Sequence, residues 1–340
     1  MKAVAAFGPG RVNLIGEHTD YNDGLCLPFA IARGVTVRAE GLEGGCVEAH
    51  AADLGEDDAF AAADPARGAE GWRAFVRGTV GELGAAGHAV GGARLRIAGD
   101  VPRGSGLSSS AALSTALALA LLALAGEDED DRRELAKLCS RVENDWVGAE
   151  TGLLDQLAVL CGEPGHALRI DFRTLDMTPV PLELGDWKLV TMDSGAAHEH
   201  ASGGYNERRA ECRAACETLW IESLRDATTS DGLPDPLEHR VRHVLTENRR
   251  VDETVAALAA GDLDAVARLL VASHASLRDD YEASVPEVER TVELLKAAGA
   301  KGARMVGGGF GGSVLALFPP GSEPPAAALT VSPGPPARRV

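Results

Sequence analysis

The chain has 340 residues, 45% of them hydrophobic and 25% charged, enough apolar material for the cores of two domains. Subtracting 51 Asp and Glu from 33 Lys and Arg leaves a net charge of -18, a field that repels nucleic acid and anionic membrane surfaces and argues against both as partners. It repels free ATP too, so any nucleotide site here must rely on local N–H groups and a bound metal.

Six cysteines lie scattered at Cys26, Cys46, Cys139, Cys161, Cys212 and Cys216. In a chain this large they read as reduced thiols, and Cys212 with Cys216 lacks the second ligand pair that zinc requires. Pro9 and Arg11 arrive before a leader's apolar core could form. The longest apolar run, residues 111–125, is too short for a bilayer and contains Ser114 and Thr115. A cytoplasmic protein is expected.

The first informative stretch is Arg11-Val12-Asn13-Leu14-Ile15-Gly16-Glu17-His18-Thr19-Asp20-Tyr21-Asn22. So many donors and acceptors in a short span suit a polyol, whose hydroxyls each donate and accept. A solvated loop is the alternative; Val12, Leu14 and Ile15, which should anchor the segment to a core, weigh against it.

Residues 35–39 and 46–49 alternate as strands around a Gly-rich linker and read as a hairpin. Residues 72–83 are patterned as a helix and 93–97 as a strand. That strand leads into Gly104-Ser105-Gly106-Leu107-Ser108-Ser109-Ser110 and then a run of strong helix formers. Glycines let a ligand approach the backbone, and the first N–H groups of a helix are unpaired at the positive end of its dipole. Strand, glycine loop and helix in that order make a phosphate cradle, whose serines can bind phosphate oxygens or a hard cation. A serine-capped helix after a turn is the plainer alternative.

A helix follows at about residues 131–147, carrying Glu143. Beyond Gly148 and Gly152, Asp155 stands among leucines, either a helix-surface residue or a partly buried carboxylate with a chemical task. Residues 168–172 and 187–193 read as strands, and His198-Glu199-His200 as a solvated loop rather than a metal site. A helix opening at Tyr205 and others at 241–260, 263–275 and 286–298 complete the helical part. Gly307, Gly309 and Gly312 satisfy G-x-G-x-x-G, but a strand-like run follows them where a dinucleotide fold needs a helix. The chain has no Gly-Lys pair for a Walker loop and no protein-kinase signature set.

Three segments together resemble the GHMP kinases. They are residues 10–22, residues 102–112 and Gly302-Ala303-Arg304-Met305-Val306-Gly307-Gly308-Gly309-Phe310-Gly311-Gly312. The first is similar to the galactokinase signature in particular, and the likeness runs in order along nearly the whole chain. It implies an α/β fold of the α+β two-layer type, with an N-terminal domain over 1–185, a C-terminal domain over 186–340 and the active site in the cleft between them.

The resemblance also implies ATP-dependent phosphorylation of galactose at the anomeric hydroxyl, the entry to the Leloir pathway, by a monomer or weak homo-oligomer. By the same likeness Glu17, His18, Thr19, Asp20, Gly152, Asp193 and Tyr205 contact the sugar. Gly104, Ser105, Gly106, Leu107, Ser108, Ser109 and Ser110 hold the ATP phosphates, and Ser110 and Glu143 hold Mg²⁺. Asp155 is the base, and Arg11 the cation beside the transferred phosphoryl group. One departure is expected: a proline-rich stretch over 319–325 replaces the helix that relatives carry after the third motif's strand.

Overall fold

The computed structural model describes residues 3–101, 106–128, 131–149, 151–196 and 201–340. Gly104 and Ser105 of the glycine loop, and the segment His198-Glu199-His200, lie outside the described residues. In chain order the elements are β1 (Ala3–Asn13), β2 (Leu25–Cys26), β3 (Pro28–Leu42), β4 (Cys46–Ala51), β5 (Glu56–Ala61), α1 (Trp72–Ala85), β6 (Gly92–Gly99) and α2 (Ser109–Ala125). Next come α3 (Arg132–Arg141), which passes into a π-helical stretch (Val142–Val147), then α4 (Leu154–Cys161), β7 (His166–Asp171), β8 (Asp176–Pro181) and β9 (Lys188–Asp193). The remainder is α5 (Ala201–Leu219), α6 (Leu237–Ala259), α7 (Leu263–Asp279), α8 (Pro286–Ala297), β10 (Gly302–Met305), β11 (Ser313–Phe318), β12 (Leu329–Thr330) and β13 (Arg338–Arg339).

These strands form a six-stranded sheet ordered β13-β1-β3-β6-β4-β5, a four-stranded sheet ordered β10-β11-β9-β12 and a small sheet β2-β7-β8. The hairpin expected over residues 35–49 does not form. β6 inserts between β3 and β4, antiparallel to the first and parallel to the second. Local alternation marks both strands correctly but cannot reveal a third strand, fifty residues on, that takes the place between them.

The register of β1 on β3 slips between Pro9, opposite Gly34, and Arg11, opposite Ala30. Bulges re-aim side chains. Here the Arg11 N–H leaves the ladder and donates to the Leu107 carbonyl at 3.1 Å, tying the strand to the glycine loop.

α2 is apolar on every side, and residues 111–123 are all buried, as a helix enclosed by other elements must be. It lies across β1 so closely that a Cβ on Gly8 would overlap the Ala112 carbonyl and stand 2.7 Å from Thr115 Oγ1. Only glycine permits that approach, and it fixes where the start of α2 points.

The first sheet takes its strands from residues 3–99 and the four-stranded sheet from residue 188 onward. One strand breaks this division, since β13, at the far end of the chain, pairs with β1 through Ala6 opposite Arg339 and Phe7 opposite Arg338. No helix follows β11 among the described residues; the tail lays β12 on β9 and then crosses to β1. No helix of the described residues is long and apolar enough to cross a membrane.

Candidate active site

The polar segment after β1 turns sharply, with Gly16 at φ 97° and His18 at φ 62°. Long-range contacts over-determine this left-handed backbone, a condition under which such strain persists. Buried Arg304, on β10, donates to the carbonyls of Asn13 at 3.0 Å and Leu14 at 2.9 Å. From α6, Glu247 accepts the Gly16 N–H at 3.0 Å, and His243 Nε2 lies 3.1 Å from the Glu17 carbonyl oxygen. The Glu17 side chain reaches the third glycine motif: Oε1 accepts the Gly307 N–H at 2.8 Å and lies 3.2 Å from the Arg304 guanidinium. Thr19 is fully buried, its hydroxyl spent on the carbonyls of Gly16 and Leu25, so it shapes the loop rather than facing the cavity.

At the start of α2, Ser108 has φ 56° and ψ 52°, and its side chain does not cap the helix. Its hydroxyl donates to Asp155 Oδ2, while Arg11 Nε donates to Asp155 Oδ1 at 2.7 Å. Arg11 also donates to the Gly106 carbonyl. Asp155 thus joins β1, the glycine loop and α4 in one hydrogen-bonded unit. It is the partly buried carboxylate of the two alternatives, with its side chain 22% exposed.

Asp20 and Glu143 flank this unit. Burial, then the charges of Asp155 and Glu17, raise the Asp20 carboxyl to about 7. Glu143, buried on the π-helical stretch, is raised by burial and then by the Asp155 charge, while Ser110 and Gln156 hydrogen-bond to it. A buried carboxylate beside a second acidic group and a serine hydroxyl offers the hard oxygen donors that Mg²⁺ prefers, with room for water and phosphate to complete the shell. The residues therefore fit the metal. His18 is the opposite case: burial, then nearby His243, lower it to about 3, so the ring is neutral.

The Asp155 unit, Asp20, Glu143 and His18 meet at one cavity of about 340 Å³. Its wall brings together Arg11, Glu17, His18, Asp20, Ser108, Ser109, Ser110, Glu143, Gly152, Asp155 and Tyr205 from the expected set, with Gly106 and Leu107. Asp193 is not brought to this wall. It ends β9 exposed, with Oδ1 accepting the Gly195 N–H at 3.0 Å.

Sequence reasoning missed Asn206 and Gly308 on the wall. It also missed a second groove, of about 610 Å³, that shares Ser109 and Ser110 with the cavity and runs over Val35, Trp72, Phe75, Ile97 and Leu113. The aromatic pair at the start of α1 was its only sequence signal.

The chain matches the GHMP kinases N terminal domain over residues 74–163 and the GHMP kinases C terminal over residues 254–332. The Methanococcus jannaschii mevalonate kinase structure shares the fold, with a TM-score of 0.68 at 17% identity over 94% of this chain and 90% of that one. Fold and site together make this chain a GHMP kinase.

Residues 2–40 match the galactokinase galactose-binding signature. Over 326 residues the chain is 47% identical to a galactokinase of Mycobacterium bovis, spanning 93% of this chain and 89% of that protein. It is 43% identical to a galactokinase of Streptomyces coelicolor, spanning 91% and 83%. The crystal structure of Lactococcus lactis galactokinase complexed with galactose has a TM-score of 0.92 at 34% identity, over 100% of this chain and 95% of that one. The chain belongs to the galactokinase family.

Proposed function

We propose that this protein transfers the γ-phosphoryl group of ATP to the anomeric hydroxyl of galactose, giving galactose 1-phosphate and ADP. The observation that carries this reading is the single unit made by Asp155, Arg11 and Ser108 where the polar loop meets the start of α2. It sets a proton acceptor, a fixed cation and a helix N-terminus around one point, as phosphoryl transfer requires.

In this scheme Glu17, His18, Asp20, Gly152 and Tyr205 hold the sugar. The backbone N–H groups at Ser109 and Ser110 receive the phosphates, and the adenine lies in the adjoining groove against Trp72. The anomeric oxygen attacks the γ-phosphorus, Asp155 takes its proton, and the bond to the ADP oxygen breaks. Arg11 offsets the negative charge spreading over the transferred group. Ser110 and Glu143 would hold Mg²⁺, which supplies further charge neutralisation when bound. A cytoplasmic location accords with six cysteines that are all free thiols.

A coupled assay of ADP release across a panel of monosaccharides tests the reading. Strong release with galactose is expected, and no release with galactose overturns it.

A further inference from the structure

Behind the cavity wall a chain of polar groups runs to the His18 ring. Asn22 Nδ2 donates to the His18 carbonyl at 2.9 Å and approaches Cys212 Sγ at 3.6 Å. Cys212 Sγ lies 3.1 Å from the Tyr281 hydroxyl, which lies 2.9 Å from the Tyr21 hydroxyl, which lies 2.8 Å from His18 Nδ1. Asn22, Cys212 and Tyr281 are buried, so each side-chain polar group in this run needs a protein partner. None of these three lines the cavity.

Every link in the middle can donate or accept, but both ends are one-way. The Asn22 amide nitrogen only donates, and its orientation is pinned by the His18 carbonyl. At the other end the Gly308 carbonyl lies against the His18 ring and favours a proton there. Nδ1 is taken by Tyr21, so the nitrogen on the Gly308 side is Nε2, which is buried and has no well-formed hydrogen bond.

One direction satisfies all of them: Asn22 N–H to sulfur, thiol to the Tyr281 oxygen, Tyr281 hydroxyl to the Tyr21 oxygen, Tyr21 hydroxyl to Nδ1. The reverse direction would aim the thiol proton at an N–H and the Nε2 lone pair at a carbonyl.

We propose that Asn22, Cys212, Tyr281 and Tyr21 form a one-way hydrogen-bond relay that fixes His18 as the Nε2–H tautomer and aims that N–H at the Gly308 edge of the cavity. The four are positioning residues for the hexose, a role that rests on the galactokinase reading. The relay holds the ring as a donor on a wall it shares with the Glu17, Asp20, Glu143 and Asp155 carboxylates. Ring packing supports the same pose, with centroids 4.6 Å from Tyr281 and 5.3 Å from Tyr205.

The full chain labelled with ¹⁵N-histidine, with His18 assigned by the loss of its signals in His18→Asn, reports the tautomer directly. The expected result is Nε2–H in the wild type and loss of that fixed tautomer in Tyr21→Phe. Nδ1–H in the wild type overturns the relay.

Kinetics give the second readout. Tyr281→Phe should raise the galactose KM about threefold, the worth of a modest buried hydrogen bond, with kcat and the ATP KM nearly unchanged. In a Tyr21→Phe background it should add nothing; independent, multiplying effects overturn the relay. Should Tyr21→Phe not fold, Cys212→Ala against Cys212→Ser decides: the serine should restore the galactose KM that the alanine raises, and equal values for the two overturn the proposal. If the wild type releases no ADP with galactose, the assigned activity fails while the tautomer measurement still judges the relay.

Discussion

Gly152 and Asp20 share one space: a methyl group on Gly152 would overlap the Asp20 carboxylate. The glycine precedes α4, which carries Asp155, so the polar loop after β1 and the start of α4 meet at this point. Gly152→Ala should therefore push Asp20 out of place, raising the galactose KM by at least about tenfold with the ATP KM little changed. Steady-state kinetics with each substrate varied in turn checks the split.

Asp155→Asn keeps the shape of the unit but removes the proton acceptor. Turnover should fall by about 10²- to 10⁴-fold, while calorimetry still detects galactose binding. Near-wild-type turnover would remove Asp155 from the chemistry.

Glu143→Gln replaces the buried carboxylate beside Ser110 with a neutral amide. The Mg²⁺ concentration that gives half-maximal rate should rise by about tenfold or more, because a weaker oxygen donor faces a hard cation. Titrating Mg²⁺ at fixed ATP measures it, and an unchanged midpoint would place the metal elsewhere.

Asp20 makes stability depend on pH. Its carboxyl is raised to about 7, against about 3.9 in an unfolded chain, so between those values the folded protein holds a proton that the unfolded chain has released. That contribution is complete below about pH 4 and is lost as pH climbs through 7. Asp20→Asn carries no such loss, so its Tm relative to wild type should increase by a few degrees between pH 4 and pH 8. A constant difference across that range would show that the carboxyl is not raised.

Gly8→Ala tests the seat of α2. The added methyl overlaps the Ala112 carbonyl, and neither backbone can yield cheaply. The expected loss is about 2 kcal/mol or more, read as a lower midpoint in urea.

How much of this was legible in sequence follows from the distances along the chain. Glu17, His18 and Asp20, and the serines opening α2, announce themselves because each cluster is local and its residue types have few other uses. The insertion of β6 between β3 and β4 has no local signature. Nor does the buried clamp on the sugar loop, whose His243 and Arg304 contacts span 226 and 291 positions. Asp155 could be named as an acid among leucines, but its tie to Arg11, 144 positions away, needed the fold. Asp193 shows the reverse: a motif-like Asp-Ser-Gly at a strand end, facing solvent.

The pairing of β13 with β1 sets an order on biosynthesis. The edge of β1 is sealed only by residues translated long after it, including Val340, whose N–H donates to the Ala5 carbonyl at 2.9 Å. Until then the nascent chain carries a bare strand margin, the kind of template on which neighbouring polypeptides nucleate aggregates.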